Sequence, residues 1–397
     1  MLPAVEMLEL KMTITQVAAM SFRRVIAAAG FASALMLASG YACAQERLGT
    51  YSADPSKVSI SGISSGAFMA NQFHIAHSKL IMGAGIVAGG LYACAVDGMD
   101  GEELIVLDTL ATGPCMANPP GLRKVGAYAQ FVQEFADRGW IDAVDGLKGD
   151  RVYMFTGRSD RVVNPETVHR AAELYRSLGI ASEDLRLVDV DALPGKGAGH
   201  SWVTVAHGVP CDANESPYIN ACGYDQAHDV LQHIYGDLKP ASKTLSGRFV
   251  EFSQAEFVPD RKLAENGLSK AGYLYVPKTC EPGGDTECAL HVSLHGCDQS
   301  AELIGDEFYK NVGLNEWADS NNIIVLYPQS RTVSVKDFPI SRKTDLLEIN
   351  PEGCWNWFGY GYDDSYLLKK GVQVTTLYNM INRVIGRKER EELSGKN

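Results

Sequence analysis

Short apolar segments alternate with amphipathic segments along most of the chain. Runs rich in β-branched residues and bounded by glycine or turn residues predict β-strands: KVSISGI, MGAGIVAGG, RVYMFTG, LRLVDVDAL, GRFVEFSQAEF, AGYLYVP, ALHVSLHG and IIVLYPQ. Stretches with apolar residues three and four positions apart predict helices: AFMANQFHIAHSKL, AYAQFVQEFADRG, PETVHRAAELYRSLG, DQAHDVLQHIYG, FYKNVGLNEWADSNN and VQVTTLYNMINRVIG. Strands that alternate with helices are typical of a mostly parallel sheet with helices on both faces, so the predicted fold class is α/β.

A basic and then apolar segment near the N-terminus predicts an export signal. Arg23 and Arg24 precede the apolar run 25–40, and residues 42–44 read ACA, the small-x-small pattern of a cleavage site. We therefore predict a signal peptide over 1–44 and a single α/β domain over 45–397. The apolar run is short for a membrane span and no second apolar span follows, which predicts a secreted or periplasmic protein without stable membrane insertion after cleavage.

Export changes the interpretation of the cysteines. The chain has nine, and loss of Cys43 with the signal leaves an even number, which favours disulfides in an oxidising compartment. Proximity along the sequence suggests the pairs Cys94–Cys115, Cys211–Cys222 and Cys280–Cys288, and leaves Cys297 and Cys354 for each other. No CxxC spacing occurs, so we predict no metal site. The net charge of −12 argues against nucleic acid as a partner.

The segment VSISGISSGAF carries the first chemical signal. Gly62 and Gly66 lie two positions either side of Ser64, between a predicted strand and a predicted helix. A nucleophile elbow needs small residues at these two positions, because larger side chains would clash in the sharp turn. Ser64, and not Ser65, is therefore the candidate nucleophile.

An acid and a histidine follow in the chain order of α/β-hydrolases. Asp160 lies in a polar loop just after the strand-like segment RVYMFTG, and His200 follows the glycine-rich segment GKGAG. A carboxylate at the first position holds a histidine in one tautomer and stabilises its imidazolium. Ser64, Asp160 and His200 therefore predict a serine hydrolase that requires no cofactor.

An oxyanion hole completes such a site. The backbone N–H of Ser65 is the first candidate donor, and that of Cys297, in the segment HVSLHGCDQS, is the second. A His-Gly loop normally precedes the nucleophile, whereas here it follows the histidine. Either the C-terminal half is a second domain, or the fold is circularly permuted with its early strands last. We favour a circularly permuted α/β-hydrolase, because the N-terminal part otherwise lacks the second donor.

Several segments together resemble one family. The set SGISSGAFMANQ, AGGLYACA, TGRSDRVV, GAGHSW, GYLYVP, LHGCDQS, NEWADSNNIIVLYPQ and GCWNWFG, spread over about residues 50–386, is similar to single-domain secreted polyhydroxybutyrate depolymerases with a circularly permuted, type II catalytic domain. The resemblance implies a serine esterase that cuts poly(3-hydroxybutyrate) and short hydroxyalkanoate oligomers through an acyl-enzyme. It also implies that Ser64, Asp160 and His200 form the triad, and that Ser65 and Cys297 supply the oxyanion amides.

The resemblance further assigns Trp355, in GCWNW, to the substrate crevice. Core packing stays open for both Trp355 and Trp357. Many secreted members carry a linker and a polymer-binding domain, and this sequence shows neither. Two other functions stay open at this point: a secreted carboxylesterase for aromatic or cell-wall esters, and a non-catalytic polymer-binding protein on an inactive hydrolase fold.

Overall fold

A computed structural model describes residues 46–51, 53–189, 197–284, 286–337 and 350–387. These residues belong to the compact unit 45–397. The predicted signal peptide, 1–44, lies outside the described residues. The strands are β1 (Val58–Ile63), β2 (Gly83–Val87), β3 (Val96–Asp100), β4 (Glu103–Val106), β5 (Arg151–Phe155), β6 (Leu185–Val188), β7 (Trp202–Thr204), β8 (Val209–Pro210), β9 (Ile219–Ala221), β10 (Arg248–Ser253), β11 (Ala271–Val276), β12 (Ala289–Leu294) and β13 (Ile323–Tyr327).

The central sheet orders its strands β10-β11-β13-β12-β1-β2-β5-β6. Pairing is parallel from β13 to β6, whereas β11 pairs antiparallel with both β10 and β13. The first strand of the described chain is therefore interior, with β12 on one side and β2 on the other. Both halves of the chain contribute to one sheet, which excludes a separate C-terminal sheet domain and gives the permuted strand order.

Helices cover both faces of this sheet. They are α1 (Ser65–Ala76), α2 (Asp108–Thr112), α3 (Val125–Asp137), α4 (Pro165–Ser177), α5 (Gln226–Tyr235), α6 (Ala301–Ile304), α7 (Glu307–Asn311), α8 (Leu314–Asn321) and α9 (Val372–Ile385). Apolar residues of α1, α3, α4 and α9 share one buried cluster, and those of α5 and α8 share another.

Side chains of the strands alternate between these two clusters. In β13, Ile324 and Leu326 join the first cluster, whereas Val325 and Tyr327 join the second. Successive side chains of a strand point to opposite faces, so both faces of the sheet are buried. The predicted α/β class, a mostly parallel sheet with helices on both faces, is confirmed.

Some elements differ from the sequence predictions. The segment predicted as one helix over 308–322 is two helices, α7 and α8, because Gly313 adopts φ 84° and ends the helical run. Strand β6 ends at Val188, earlier than the segment LRLVDVDAL predicts, and residues 190–193 of that segment lie outside the described part. The hairpin β3–β4 and the small sheet β7-β9-β8 were not predicted, since their strands are too short for a clear pattern.

Among the described residues, none of the helices has the length and apolar content needed to cross a bilayer.

Candidate active site

Ser64 lies in the turn between β1 and α1. Its backbone has φ 55° and ψ −124°, values that a residue with a side chain rarely adopts. The turn is nevertheless well fixed, because Ser64 N–H donates to the Val87 carbonyl at 2.9 Å and its own carbonyl accepts from Phe68 N–H at 3.0 Å. A strained serine held in this way presents its hydroxyl at the carboxyl edge of the sheet.

At each of the two flanking glycines, backbone atoms of a neighbouring residue occupy the space that a side chain would need. A Cβ on Gly62 would lie 2.3 Å from the Gly66 carbonyl oxygen. A Cβ on Gly66 would lie 2.3 Å from the carbonyl oxygen of His295, which follows β12. Both positions therefore require glycine, because neighbouring backbone lies too close for a side chain. This geometry agrees with the predicted place of Ser64 at the centre of the turn.

Asp160 and His200 form a buried pair. His200 Nδ1 lies 2.9 Å from Asp160 Oδ2, and neither side chain is more than 4% exposed. The other carboxylate oxygen, Oδ1, accepts from the N–H groups of Val162 and Val163, both at 2.9 Å. Since the carboxylate accepts, His200 carries its proton on Nδ1 and leaves the Nε2 lone pair free.

Asn214 connects the acid loop to the histidine loop, a link that the sequence did not reveal. Its Oδ1 accepts from His200 N–H at 2.9 Å and from Arg161 N–H at 3.0 Å. Its Nδ2 donates to the Ser159 carbonyl at 2.9 Å. The side chain thereby fixes the separation of two loops that lie far apart in sequence.

The loop after β12 lies directly against the elbow. A Cβ placed on Gly296 would be 3.0 Å from Ser64 Cβ. Gly296 N–H donates to Gln299 Oε1 at 2.7 Å, and Asp298 N–H donates to the Glu352 carbonyl at 2.7 Å. The amide between them, that of Cys297, has no acceptor among the described residues. Cys297 lines the same cavity as Ser64, so its N–H stays the candidate for the second oxyanion donor.

A cavity of about 590 Å³ contains the surfaces of Ser64, Ser65, His200 and Cys297. Its other walls are mostly apolar: Phe68, Ala111, Met116, Ala117, Val162, Val163, Trp357 and Phe358. Among the described lining residues, Asp298 and Glu352 are the acidic side chains, and neither Lys nor Arg occurs. Burial raises the pKa of Asp298, and burial together with the nearby Asp298 charge raises that of Glu352.

The two tryptophans of GCWNW differ in their relation to the cavity. Trp355 is fully buried, donates from Nε1 to the His295 carbonyl at 3.0 Å and does not line the cavity. Trp357 lines the cavity and stacks on Phe68, with ring centroids 4.0 Å apart. The assignment of Trp355 to the crevice is therefore wrong, because its indole N–H is satisfied by backbone beneath the elbow. Trp357, which belongs to the larger buried apolar cluster, is the tryptophan that lines the cavity.

Four disulfides occur in the described residues. They join Cys94 to Cys115, Cys211 to Cys222, Cys280 to Cys288 and Cys297 to Cys354, the pairs that sequence proximity suggests. The last bond ties the loop after β12 to the segment that contains both tryptophans.

The site and the sheet define a class of protein. The candidate nucleophile, the acid and the oxyanion amides all follow the carboxyl ends of parallel strands, β1, β5 and β12, which is the arrangement of a serine α/β-hydrolase. Poly(3-hydroxybutyrate) depolymerase of Delftia acidovorans is 34% identical over 368 residues, which cover 92% of this chain and 67% of that protein. The chain belongs to the polyhydroxybutyrate depolymerase family.

A second relative and two solved structures agree with this membership. Polyhydroxybutyrate depolymerase of Talaromyces funiculosus is 34% identical over 347 residues, which cover 85% of this chain and 92% of that protein. The PHB depolymerase of Penicillium funiculosum superposes with a TM-score of 0.72 at 32% identity, over 86% of this chain and 99% of that one. A PHB depolymerase complexed with an R3HB trimer gives the same values. No family model matches the chain.

Proposed function

We propose that this protein is a serine esterase that hydrolyses poly(3-hydroxybutyrate) and short-chain hydroxyalkanoate oligomers through an acyl-enzyme. The observation that carries the proposal is the Asp160–His200 pair, whose histidine lines the same mostly apolar cavity as a strained Ser64. Family membership supports the substrate class, since the named relatives are polyhydroxybutyrate depolymerases.

In this proposal Ser64 Oγ attacks the ester carbonyl, and His200 Nε2 accepts its proton. Asp160 holds the imidazole in the Nδ1–H tautomer and stabilises the imidazolium that forms. The carbonyl oxygen becomes an oxyanion, which accepts from the amides of Ser65 and Cys297.

The imidazolium of His200 then acts as the acid. It donates its proton to the alkoxide oxygen of the breaking ester bond, and the part of the chain that gains this hydroxyl end leaves. Water then attacks the acyl-enzyme with His200 as base, and the products are Ser64 and a hydroxyacyl carboxylate. The overall reaction consumes one ester bond and one water, and no redox change occurs.

The cavity favours an uncharged, largely apolar substrate. A hydroxybutyrate polyester has methyl groups and ester carbonyls but no charge along its backbone. An apolar wall with aromatic rings from Phe68 and Trp357 matches this chemistry. The acidic side chains of Asp298 and Glu352 would repel an anionic substrate.

We also propose that the chain is exported and that its mature form is a single domain over 45–397. The four disulfides support this proposal, because such bonds persist in oxidising compartments. N-terminal sequencing of the protein exported by a bacterial host tests it, and the expected first residue is Gln45.

A substrate panel with an active-site label tests the enzymatic function. We expect release of hydroxybutyrate units from a 3-hydroxybutyrate trimer and from amorphous polymer, with much lower kcat/KM on feruloyl or acetylated sugar esters. A fluorophosphonate should label wild-type protein once, at Ser64. Preference for the aromatic or sugar esters would favour the other esterase, and absence of label in folded protein would favour a binding protein.

A further inference from the structure

Two carboxylates line the candidate active-site cavity and take no part in the reaction steps described above. Asp298 directly follows Cys297, and Glu352 lies two positions before Cys354. The Cys297–Cys354 disulfide and a 2.7 Å hydrogen bond from Asp298 N–H to the Glu352 carbonyl join the two segments. The backbone therefore fixes Asp298 and Glu352 beside each other, and together they are called the acidic wall.

No neutralising partner is found for the acidic wall. Among the described residues, neither carboxylate forms an ion pair or a side-chain hydrogen bond, and no lysine or arginine lines the cavity. Burial raises the pKa of Asp298, and burial together with the Asp298 charge raises that of Glu352. A carboxyl group ordinarily has a pKa near 4, so an assay at about pH 8 leaves a wide margin for this rise.

The contacts of Tyr218 place the acidic wall on the side of His200. The Tyr218 ring packs edge-on against the His200 ring, with centroids 5.8 Å apart, and both residues line the cavity. Gln299, the neighbour of Asp298, donates from Nε2 to the Tyr218 carbonyl at 3.1 Å. Burial raises the pKa of Tyr218, and the charges of Asp298 and Glu352 act in the same direction.

The side of His200 is where the leaving part of the substrate must lie. His200 protonates the oxygen of that part in the proposed reaction, so the two must meet. A hydroxybutyrate oligomer has one hydroxyl end and one carboxylate end. At each ester bond the acyl part extends toward the hydroxyl end, and the leaving part extends toward the carboxylate end. When the leaving part is a single unit, its carboxylate carbon is only three bonds from the leaving oxygen.

We propose that Asp298 and Glu352 select the ester bond that is cut, by excluding the carboxylate end of an oligomer from the leaving-group side of the cavity. Like charges a few ångströms apart repel near a protein surface much more strongly than in bulk water. Ester bonds far from a carboxylate end, such as those inside a polymer, escape this repulsion. This role rests on the proposed esterase function and adds to it a preference for the bond nearest the hydroxyl end of a short oligomer.

A 3-hydroxybutyrate trimer with a ¹³C label in its hydroxyl-terminal unit reports which bond is cut. Cleavage nearest the hydroxyl end gives labelled monomer, and cleavage nearest the carboxylate gives labelled dimer. For wild type at about pH 8, we expect initial labelled monomer to exceed labelled dimer at least about tenfold. The trimer carboxamide is similar in size but uncharged, so its ratio of labelled monomer to labelled dimer should be lower.

Neutral variants test the two side chains. Asp298→Asn and Glu352→Gln remove the charges at nearly constant size, and asparagine tolerates the φ of 56° at position 298. In the double variant we expect the monomer-to-dimer ratio from the free trimer to fall at least about fivefold, toward the ratio from the carboxamide. Glu352→Asp keeps the charge and should keep the ratio close to that of wild type.

Glu183→Gln is the matched control for net charge. Glu183 is exposed and precedes the amino end of β6, at the edge of the parallel sheet opposite Ser64. This variant should leave the ratio within about twofold of wild type, because solvent screens so distant a charge. Salt gives a second readout: raising NaCl from about 0.02 to 0.5 M should lower the wild-type ratio for the free trimer and not for the carboxamide.

The outcomes separate this role from the function on which it rests. If wild type hydrolyses neither the trimer nor its carboxamide, the proposed function fails. If wild type is active but gives the same ratio with both substrates, charge does not select the bond and the role of the acidic wall fails. That role also fails if the double variant keeps the wild-type ratio, or if Glu183→Gln changes the ratio as much as the double variant does.

Discussion

Trp355 and Trp357 differ by two positions in sequence and lie in different surroundings. We expect Trp357→Ala to lower kcat/KM for a 3-hydroxybutyrate trimer at least about tenfold more than for p-nitrophenyl acetate, because the small ester reaches Ser64 without the aromatic wall. Trp355→Ala should cost about 3–5 kcal/mol of stability and should impair both substrates alike, since that ring is core.

Assays of this pair belong at a temperature where both variants are folded, as judged by circular dichroism. An equal loss on the two substrates for Trp357→Ala would contradict its place in the crevice. Selective loss on the trimer for Trp355→Ala would restore the role that the sequence resemblance gave it.

The two serines of the elbow give a second residue-scale prediction. Ser64→Ala should abolish turnover and fluorophosphonate labelling while the thermal midpoint stays near that of wild type. Ser65→Ala keeps its backbone amide and loses only the acceptor of a 3.3 Å bond from Trp355 N–H, so kcat should fall less than about fivefold. Inactivity of Ser65→Ala with full activity of Ser64→Ala would show that the elbow is displaced by one residue.

At the scale of elements, Asn214 holds two loops together that come from different strands. Asn214→Ala should lower kcat about ten- to a hundredfold, because His200 and the Asp160 loop lose their shared acceptor. Asn214→Asp keeps that acceptor and should retain more activity.

The comparison for Asn214 is Asn315, a buried asparagine whose Nδ2 donates to the Tyr309 carbonyl at 2.8 Å and whose Oδ1 accepts from the Tyr327 hydroxyl at 2.8 Å. Asn315→Ala should lose about 1–3 kcal/mol of stability without a matching loss of kcat. Equal kinetic losses in Asn214→Ala and Asn315→Ala would assign Asn214 to general stability.

Elements with a strong local pattern were predictable, whereas contacts between loops were not. The strand-to-helix elbow at Ser64 follows from glycine spacing, and Asp160 and His200 follow from their position after strands. Nothing local distinguishes Asn214 from other loop asparagines, because its partners come together only in the fold. The position of Trp355 has the same origin, since its indole N–H donates to the carbonyl of His295, which is 60 positions away in sequence.

At the scale of the whole molecule, buried histidines set a limit to stability in acid. His77 stacks on Tyr378 at the end of α1, and burial lowers its pKa from an ordinary value near 6.5 to about 3. In the unfolded chain His77 therefore binds a proton below about pH 6.5, whereas in the folded chain it binds one only below about pH 3. Stability falls across this window by about 1.4 kcal/mol per pH unit for each such group.

His77→Phe should remove one such contribution while preserving the stacked ring. Relative to wild type, the variant should gain about 2–3 kcal/mol between pH 7.5 and pH 4.5, measured by urea unfolding at both pH values. At neutral pH it should be no less stable, because Nε2 has no hydrogen-bond partner among the described residues. If the free energy of unfolding fell equally with pH in wild type and variant, a group other than His77 would govern the loss of stability in acid.

The strand order allows a rearranged chain. Tyr51 N–H donates to the Val384 carbonyl at 2.9 Å, so the two ends of the described chain lie close together. A variant opened between the exposed Lys243 and Thr244, with residue 387 joined to residue 46 by a short glycine-serine linker, should fold and retain esterase activity. The same rearrangement opened within β12, after Val292, should not fold. An inactive, unfolded product at several linker lengths from the first opening would contradict the proximity of the ends.

The interior position of β1 also limits how early this protein can fold. Ser59 on β1 and its partner His291 on β12 are 232 positions apart in sequence. One edge of β1 therefore stays unpaired until β12 has been synthesised. A ribosome adds about 5–20 residues per second, which leaves roughly 10 to 50 seconds between the two. Sheet closure must also overcome the entropy of a long intervening loop, so contact order is high and folding slow. The sheet therefore cannot close before β12 has been synthesised, and until then the nucleophile has no site around it.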